Sequence, residues 1–218
     1  MRKKERIFAV GDIHGCFDRL TRLLQRLPYD PALDTLVFLG DYIDRGNDSR
    51  QVIDLVCRLQ NEGRVVTLLG NHEHLLLQYH ATGDTRLLPF LRKNGIERTL
   101  ASYGENDVSR LRGLGFLPQR HREFLQGLLP YWETERYRFV HAGIRAGVRL
   151  EAHTPEQLCE GREEFWRFLG EDDKVVIFGH TAFRSPLVTE RAIGIDTGAV
   201  YGNLLTAVEL PRVRFYHA

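Results

Sequence analysis

Over its first seventy residues the chain alternates short apolar runs with longer segments of helical periodicity. The apolar runs predict three strands, Ile7–Val10, Thr35–Leu39 and Val65–Leu69. Between them, apolar residues spaced three or four apart predict helices over Phe17–Leu27 and Ser49–Gln60. Strands that alternate with helices in this way form parallel sheets covered by helices. The pattern therefore predicts the α/β fold class.

Each of these three strands ends at a glycine that an aspartate or an asparagine follows. The pairs are Gly11-Asp12, Gly40-Asp41 and Gly70-Asn71. Glycine lets the backbone turn sharply where a strand ends, and ligands of open α/β sheets bind beyond the carboxyl ends of the strands. We therefore expect a ligand site at this edge of the sheet.

The pattern changes between about residues 80 and 130, where turn residues interrupt weakly periodic segments. We interpret this part as a helical, cap-like insertion over the sheet. Strand signals then return, at Tyr137–His141, Val175–His180, Ile193–Ile195, Leu204–Leu210 and Val213–Tyr216. The last of these have no helices between them, which predicts a mixed or antiparallel second sheet. Without a repeat or a linker, we expect residues 1–218 to form one domain.

Composition excludes several classes of protein. With 43% hydrophobic and 27% charged residues, the 218-residue chain can bury a core, unlike a disordered chain. Its 30 basic and 29 acidic residues argue against a nucleic-acid binder. No apolar run is long enough to cross a membrane, and the three scattered cysteines form no disulfide framework. We expect a cytoplasmic protein that binds neither nucleic acid nor membranes, and the sequence leaves its oligomeric state open.

Five motifs, each directly at the end of an apolar run, carry the candidate ligands. They are GDIHG from Gly11, GDYIDRG from Gly40, GNHE from Gly70, HAG from His141 and FGHT from Phe178. One Gly-Asp pair alone is usually a turn, but five such strand ends favour a site. The candidate ligands are Asp12, His14, Asp41, Asn71, His141 and His180. Their mixed nitrogen and oxygen donors suit Mn²⁺, Fe or Zn²⁺, and six ligands suit two metals that share a carboxylate.

In this order, the five motifs closely resemble the signature of metallophosphoesterases of the PPP (Ser/Thr protein phosphatase) type, from about Ile7 to about Leu210. The resemblance implies a β-sandwich flanked by helices, with the site at the strand ends. It also implies two divalent metal ions, with Mn²⁺ expected and Fe or Zn²⁺ as alternatives. Asp12 and His14 would hold one metal and Asp41 would bridge both. The second metal would take Asn71, His141 and His180.

The same resemblance assigns catalytic roles. His72 would be the general acid that protonates the leaving oxygen, and Asp44 would pair with it and favour its charged form. Arg45 would bind the phosphate. The alternative for Asp44 and Arg45 is a solvated ion pair in a surface turn, which the surrounding motifs disfavour. Arg162 would be a second phosphate-binding arginine.

Some positions depart from the family pattern or match no motif. Glu160 stands where the family has tryptophan, which weakens the assignment of Arg162 and leaves Arg167 as the alternative. Tyr201 lies where relatives place an aromatic residue near the site, but a turn or core tyrosine explains it equally well. Five histidines match no motif and are expected at the surface: His74, His80, His121, His153 and His217.

The predicted activity is hydrolysis of a phosphoester by a water that bridges the two metals. We expect a Ser/Thr, or dual-specificity, phosphoprotein phosphatase that acts on a phosphorylated protein or a small phosphoester. The alternative is a hydrolase of diadenosine tetraphosphate or related dinucleoside polyphosphates. Basic residues between about 80 and 130 could bind polyphosphate, although a solvated helical face explains them too. A third, remote hypothesis is a non-catalytic, metal-stabilised scaffold.

Overall fold

The computed structural model describes residues 6–161, 164–170 and 174–218. Its ten strands are β1 Ile7–Val10, β2 Thr35–Phe38, β3 Arg64–Thr67, β4 Tyr131–Glu133, β5 Tyr137–Val140, β6 Val175–Phe178, β7 Leu187–Val188, β8 Ala192–Gly194, β9 Thr206–Leu210 and β10 Arg214–His217. The α-helices are α1 Phe17–Arg26, α2 Ser49–Glu62, α3 Asn71–Thr82, α4 Leu88–Asn94, α5 Ile96–Ser102, α6 Gln119–Gln126 and α7 Pro155–Glu160. Five short 3₁₀ helices lie between them. The predicted α/β class is confirmed.

The strands form two five-stranded sheets. The first has the order β10-β9-β1-β2-β3, and its members β1, β2 and β3 run parallel as predicted. The second has the order β4-β5-β6-β8-β7 and is mixed: β5, β6 and β8 are parallel, while β4 and β7 pair antiparallel at its edges. The predicted mixed second sheet is therefore correct.

The last two strands do not belong to that second sheet, contrary to our expectation. Strand β9 pairs antiparallel with β1, with Ala9 opposite Val208, and β10 pairs with β9. The C-terminal hairpin thus extends the first sheet. Periodicity detects a strand but carries no information about its partner, which explains the error. Strands β4 and β7 were not predicted, because their three and two residues are too few to give a periodic pattern.

Apart from Thr35, the residues of the first two strands are apolar, because both faces of these strands are buried. Phe8 and Val10 of β1 face the layer of α1 and α2, whereas Ala9 faces the second sheet. Across the space between the sheets, Ala9 shares a core with Phe139 of β5 and Ile177 of β6. The result is a β-sandwich flanked by helices, as the resemblance implied.

The residues of the predicted insertion are helical and add to the core on the outer face of the first sheet. Leu91 of α4, Ile96 and Leu100 of α5 and Phe124 of α6 are buried in the same cluster as Leu76 of α3. Whether the chain is one domain remains a prediction.

Two of the histidines expected at the surface are buried. His121 lies on α6, where its Nδ1 is 2.8 Å from the Tyr103 hydroxyl and its Nε2 is 2.9 Å from Asp54 Oδ1. His153 Nε2 accepts the backbone N–H of Arg145. Both side chains are hydrogen-bonded inside the fold, and no sequence motif predicts these hydrogen bonds.

Within the part of the chain that the structure describes, no helix has the length and apolar character needed to span a membrane.

Removal of the Leu23 side chain tests the packing of α1 on the first sheet. Leu23 is fully buried there, so Leu23→Ala should lower the free energy of unfolding by about 2–5 kcal/mol through lost contacts and a cavity. Gln25→Ala on the exposed side of the same helix should change it by less than about 0.5 kcal/mol. Urea denaturation measures both, and equal losses would contradict the packing described here.

Candidate active site

The polar residues that follow the strands converge at one edge of the sandwich. Asp12 and His14 follow β1, Asp41 follows β2, and Asn71 begins α3 just after β3. His141 and His180 follow the parallel strands β5 and β6 of the second sheet. Parallel strands place their carboxyl ends together, so residues far apart in sequence meet here.

Two groups of side chains in this site could each hold a metal ion. One comprises His14, Asp41 and His72, and the other comprises Asp41, His141 and His180. Within each group the potential ligand atoms lie within 4.8 Å of one another. Asp41 is common to both groups, which is the arrangement expected of a bridging carboxylate.

The two oxygens of Asp41 face different groups. Oδ2 is 3.3 Å from His14 Nε2, and Oδ1 is 3.5 Å from His141 Nε2. Asn71 joins the second group, since its Oδ1 is 3.0 Å from both His141 Nε2 and His180 Nδ1. The geometry therefore brings together the shared ligand and the three ligands predicted for the second metal.

Asp12 lies beside these groups but belongs to neither of them. Its carboxylate oxygens accept the backbone N–H of His180, at 3.1 and 3.0 Å. Burial and the nearby carboxylates of Asp196 and Asp41 raise the pKa of Asp12 well above its usual value. Several carboxylates gathered in a buried site are costly unless cations compensate them. The site thus has the donor atoms and the excess of negative charge that two divalent cations require.

The backbone fixes the histidines in the tautomer that a metal needs. His14 donates its Nδ1 proton to the carbonyl of Ile43, and His141 donates its Nδ1 proton to the carbonyl of Leu39. The Nε2 lone pairs then point toward Asp41. Burial lowers the pKa of both imidazoles, that of His14 to about 3, so they stay neutral.

Backbone strain is concentrated at this site. Among the described residues other than glycine, seven have a positive φ, and five of these lie in the predicted motifs: His14, Asp41, Asp44, Arg45 and His180. Left-handed backbone is unfavourable for such residues and persists where the surrounding structure imposes it. These sharp turns direct the side chains inward from the strand ends.

His72, which belongs to the first group, also forms a buried pair with Asp44. His72 Nδ1 is 2.7 Å from Asp44 Oδ2, and neither side chain is exposed. Burial alone would lower the pKa of His72, but the carboxylates of Asp41 and Asp44 raise it above its usual value. Its Nε2 lies 3.9 Å from Asp41 Oδ2 and has no hydrogen-bond partner among the described residues. This imidazole is placed to carry a proton that it can donate.

A cleft of about 360 Å³ opens above these residues, with Asp41, Asn71 and His180 among those that line it. Arg45 lines it too, with Nη1 3.0 Å from His14 Nε2. The Arg45 guanidinium also lies over the exposed ring of Tyr201, 5.3 Å from its centroid. The structure therefore puts Tyr201 at the cleft rather than in the core.

Residues 5–201 match the family described as calcineurin-like phosphoesterase. The chain belongs to this family. Of its relatives, a bis(5'-nucleosyl)-tetraphosphatase (asymmetrical) of Halalkalibacterium halodurans is 30% identical over 94% of this chain and 90% of its own length. The corresponding protein of Bacillus subtilis is also 30% identical, over 94% of this chain and 90% of its own.

Solved structures support the same fold for this phosphoesterase. A protein provisionally described as a diadenosine tetraphosphatase has a TM-score of 0.74 at 23% identity, covering 100% of this chain and 94% of its own. The metallophosphoesterase resemblance and the sandwich fold are thus confirmed.

Arg162 and Arg167 are the two candidates for the second phosphate-binding arginine. Arg162, predicted to bind phosphate, lies outside the residues that the structure describes. Arg167 is described, and its guanidinium lies at the surface, 2.8 Å from Glu164. Glu160, at the family's tryptophan position, is exposed and lines a second cleft of about 320 Å³ beside Gly143. A glutamate there gives this phosphoesterase a polar wall where an indole would be apolar.

Sequence reasoning missed two acidic residues of the site. Glu73, which follows His72 in GNHE, is fully buried and accepts the backbone N–H groups of Asp41, Tyr42 and Ile43. It thereby fixes the loop that carries the shared carboxylate. Asp196 lines the cleft, and burial raises its pKa to about 6. It follows the apolar run Ile193–Ile195, so the strand-end pattern used for the other ligands could have found it.

The shared position of Asp41 leads to a prediction about metal content. Asp41→Asn removes a ligand from both groups, so the purified variant should bind almost no metal. His180→Asn removes a ligand from one group and should retain about one metal per chain. Elemental analysis of the folded proteins gives these stoichiometries. Equal metal content in the two variants would contradict a bridging role for Asp41.

Proposed function

We propose that this phosphoesterase hydrolyses bis(5'-nucleosyl)-tetraphosphates, with two divalent cations held by Asp12, His14, Asp41, Asn71, His141 and His180. The observation that carries the proposal is the carboxylate of Asp41, whose two oxygens face two nitrogen–oxygen groups on the floor of an open cleft. The named activity of relatives 30% identical over 94% of the chain supports this substrate. The protein phosphatase hypothesis has weaker support: the five motifs do not distinguish it from the tetraphosphatase, and the likeness to a yeast Ser/Thr phosphatase is one of fold at 14% identity.

The site suits a highly anionic substrate despite the net charge of +1 of the whole chain. Two bound cations would neutralise phosphate oxygens and lower the pKa of the attacking water. Arg45, whose described side-chain contacts are with His14 and Tyr201, adds a positive group at the wall of the cleft. Its guanidinium can donate two hydrogen bonds to one phosphoryl group and stabilise charge that develops on it.

In this proposal His72 supplies the proton that the leaving group needs. The pair with Asp44 holds the imidazole through Nδ1, so Nε2 is directed into the site. In a polyphosphate the leaving group is itself a phosphate oxygen. The carboxylates of Asp41 and Asp44 raise the pKa of His72 above its usual value, which favours the charged form of the imidazole.

The ring of Tyr201 supports recognition of a nucleoside. It is 66% exposed and lies at the cleft against Arg45. An exposed aromatic ring beside a phosphate-binding arginine can stack on a base while the phosphates occupy the site. The phosphorylated side chains of serine and threonine offer no such ring.

The products would show which phosphorus is attacked. An asymmetrical cleavage, as in the names of the relatives, yields a nucleoside monophosphate and a nucleoside triphosphate. A symmetrical cleavage yields two nucleoside diphosphates. We propose the asymmetrical outcome.

A comparison of substrates tests this proposal. With Mn²⁺ present, kcat/KM for diadenosine tetraphosphate should exceed that for each member of a phosphopeptide panel by about a hundredfold or more. Tyr201→Ala should lower kcat/KM for the dinucleotide by about tenfold, through lost stacking, and Tyr201→Phe should retain most of it. Leu204→Ala, which removes another exposed apolar side chain, is the matched control. A preference for phosphopeptides would instead support the phosphatase hypothesis.

Replacement of His72 tests general-acid catalysis. His72→Asn should lower kcat on diadenosine tetraphosphate by about 10²–10⁴-fold while metal content is retained. His74→Asn changes a histidine of the same helix that lies outside the proposed site, so its kcat should equal that of the wild type. Full turnover in His72→Asn would refute the acid role, and absence of turnover in the wild type on every phosphoester would support the scaffold hypothesis.

A further inference from the structure

Asp44, the partner of His72, is itself held by a residue of the helical insertion. The hydroxyl of Thr99 on α5 donates to Asp44 Oδ1 at 2.6 Å. In return, the backbone N–H of Asp44 donates to Thr99 Oγ1 at 2.9 Å. Thr99 is 1% exposed, and Asp44 and His72 are fully buried. One side chain thus contacts both the carboxylate and the backbone of Asp44.

Each oxygen of the Asp44 carboxylate has its own hydrogen-bond partner. Oδ2 faces His72 Nδ1, and Oδ1 receives the proton of Thr99. Ser49 completes the arrangement, with Oγ 3.2 Å from the Asp44 nitrogen and 3.3 Å from Thr99 Oγ1. With one partner on each oxygen, the carboxylate cannot rotate without breaking a buried hydrogen bond, which is costly. The orientation of the His72 ring therefore depends on Thr99 through Asp44.

The fold gives Thr99 a rigid base. Its helix is anchored by the buried side chains of Ile96 and Leu100, which join the core on the outer face of the first sheet. Just before the helix, Gly95 has φ of 94°, and a side chain there would come within 2.9 Å of the backbone nitrogen of Arg45. The insertion therefore packs directly against the strained turn at Asp44 and Arg45, whose φ values are 69° and 63°.

We propose that Thr99 is a positioning residue for proton transfer by His72. The insertion then orients the general acid through Asp44, in addition to covering the sheet. This inference rests on the role proposed above for His72. In that step a water oxygen forms a new bond to phosphorus, the protons of the water leave with the new phosphate product, and the bond from phosphorus to the leaving oxygen breaks. The leaving oxygen keeps the electron pair and takes the Nε2 proton of His72, while the Nδ1 proton stays on the hydrogen bond to Asp44.

Leaving groups of different basicity distinguish this role from a structural one. Phenyl phosphate and 4-nitrophenyl phosphate have nearly the same shape, but the phenolate of the first is far more basic and needs protonation more. Thr99→Val keeps the volume and removes the hydroxyl, so it should lower the ratio of kcat on phenyl phosphate to kcat on 4-nitrophenyl phosphate by about tenfold. Thr99→Ser keeps the hydroxyl and should restore the ratio to within about twofold of wild type.

Three further variants make the result decisive. Ser102→Ala removes a hydroxyl of the same helix that bonds to the Thr99 carbonyl, and its ratio should match the wild type. In an Asp44→Asn background, Thr99→Val should have no further effect on the ratio, because its partner is already altered. If the Thr99→Val protein does not fold, Thr99→Ala replaces it in these measurements.

The outcomes separate this inference from the proposed function. If His72→Asn lowers the ratio and Thr99→Val does not, Thr99 has no positioning role, while the acid role of His72 stands. Equal losses on both substrates in Thr99→Val would likewise overturn the inference in favour of a structural effect. If His72→Asn leaves the ratio unchanged, the general-acid assignment fails, and the role of Thr99 fails with it.

Discussion

The rest of the site depends on the carboxylate of Asp41 and on its contacts with two sets of ligands. Its two oxygens face two different groups of nitrogen and oxygen donors, and its own loop is fixed by hydrogen bonds to the buried Glu73. Glu73 lies on α3 next to His72, so the helix that begins at Asn71 supplies a ligand, the candidate acid and the support of the shared carboxylate. In the proposed mechanism, the start of this one helix therefore couples metal binding to proton transfer.

The need to gather buried charges explains several otherwise unfavourable features. Left-handed backbone at five non-glycine residues and raised pKa values at Asp12 and Asp196 both cost free energy in the folded chain. Bound cations would offset the cost of gathering these carboxylates, which explains why the carboxylates occur together at the cleft. The nearly neutral overall charge hides this local concentration, because the average says nothing about where charges lie.

Fold and site differed in how far the sequence could predict them. The β1–β3 region and the mixed second sheet were predictable, since apolar strands and glycine turns are local signals. The position of β9 beside β1 and the burial of His121 were not, because each depends on a partner far away in the chain. Glu73 stood inside a recognised motif without an assigned role, since only geometry shows that it accepts three backbone N–H groups.

The sequence by itself determined the fold class, the phosphoesterase family and the residue types at the strand ends, because each is encoded in a short, contiguous pattern. Only the tertiary structure decided which oxygen of Asp41 faces which histidine, which tautomer His14 and His141 adopt, and that Thr99 of the insertion reaches Asp44. Those properties depend on distances of about 3 Å between residues separated by up to a hundred positions. Such distances exist only once the sheets and the insertion have packed.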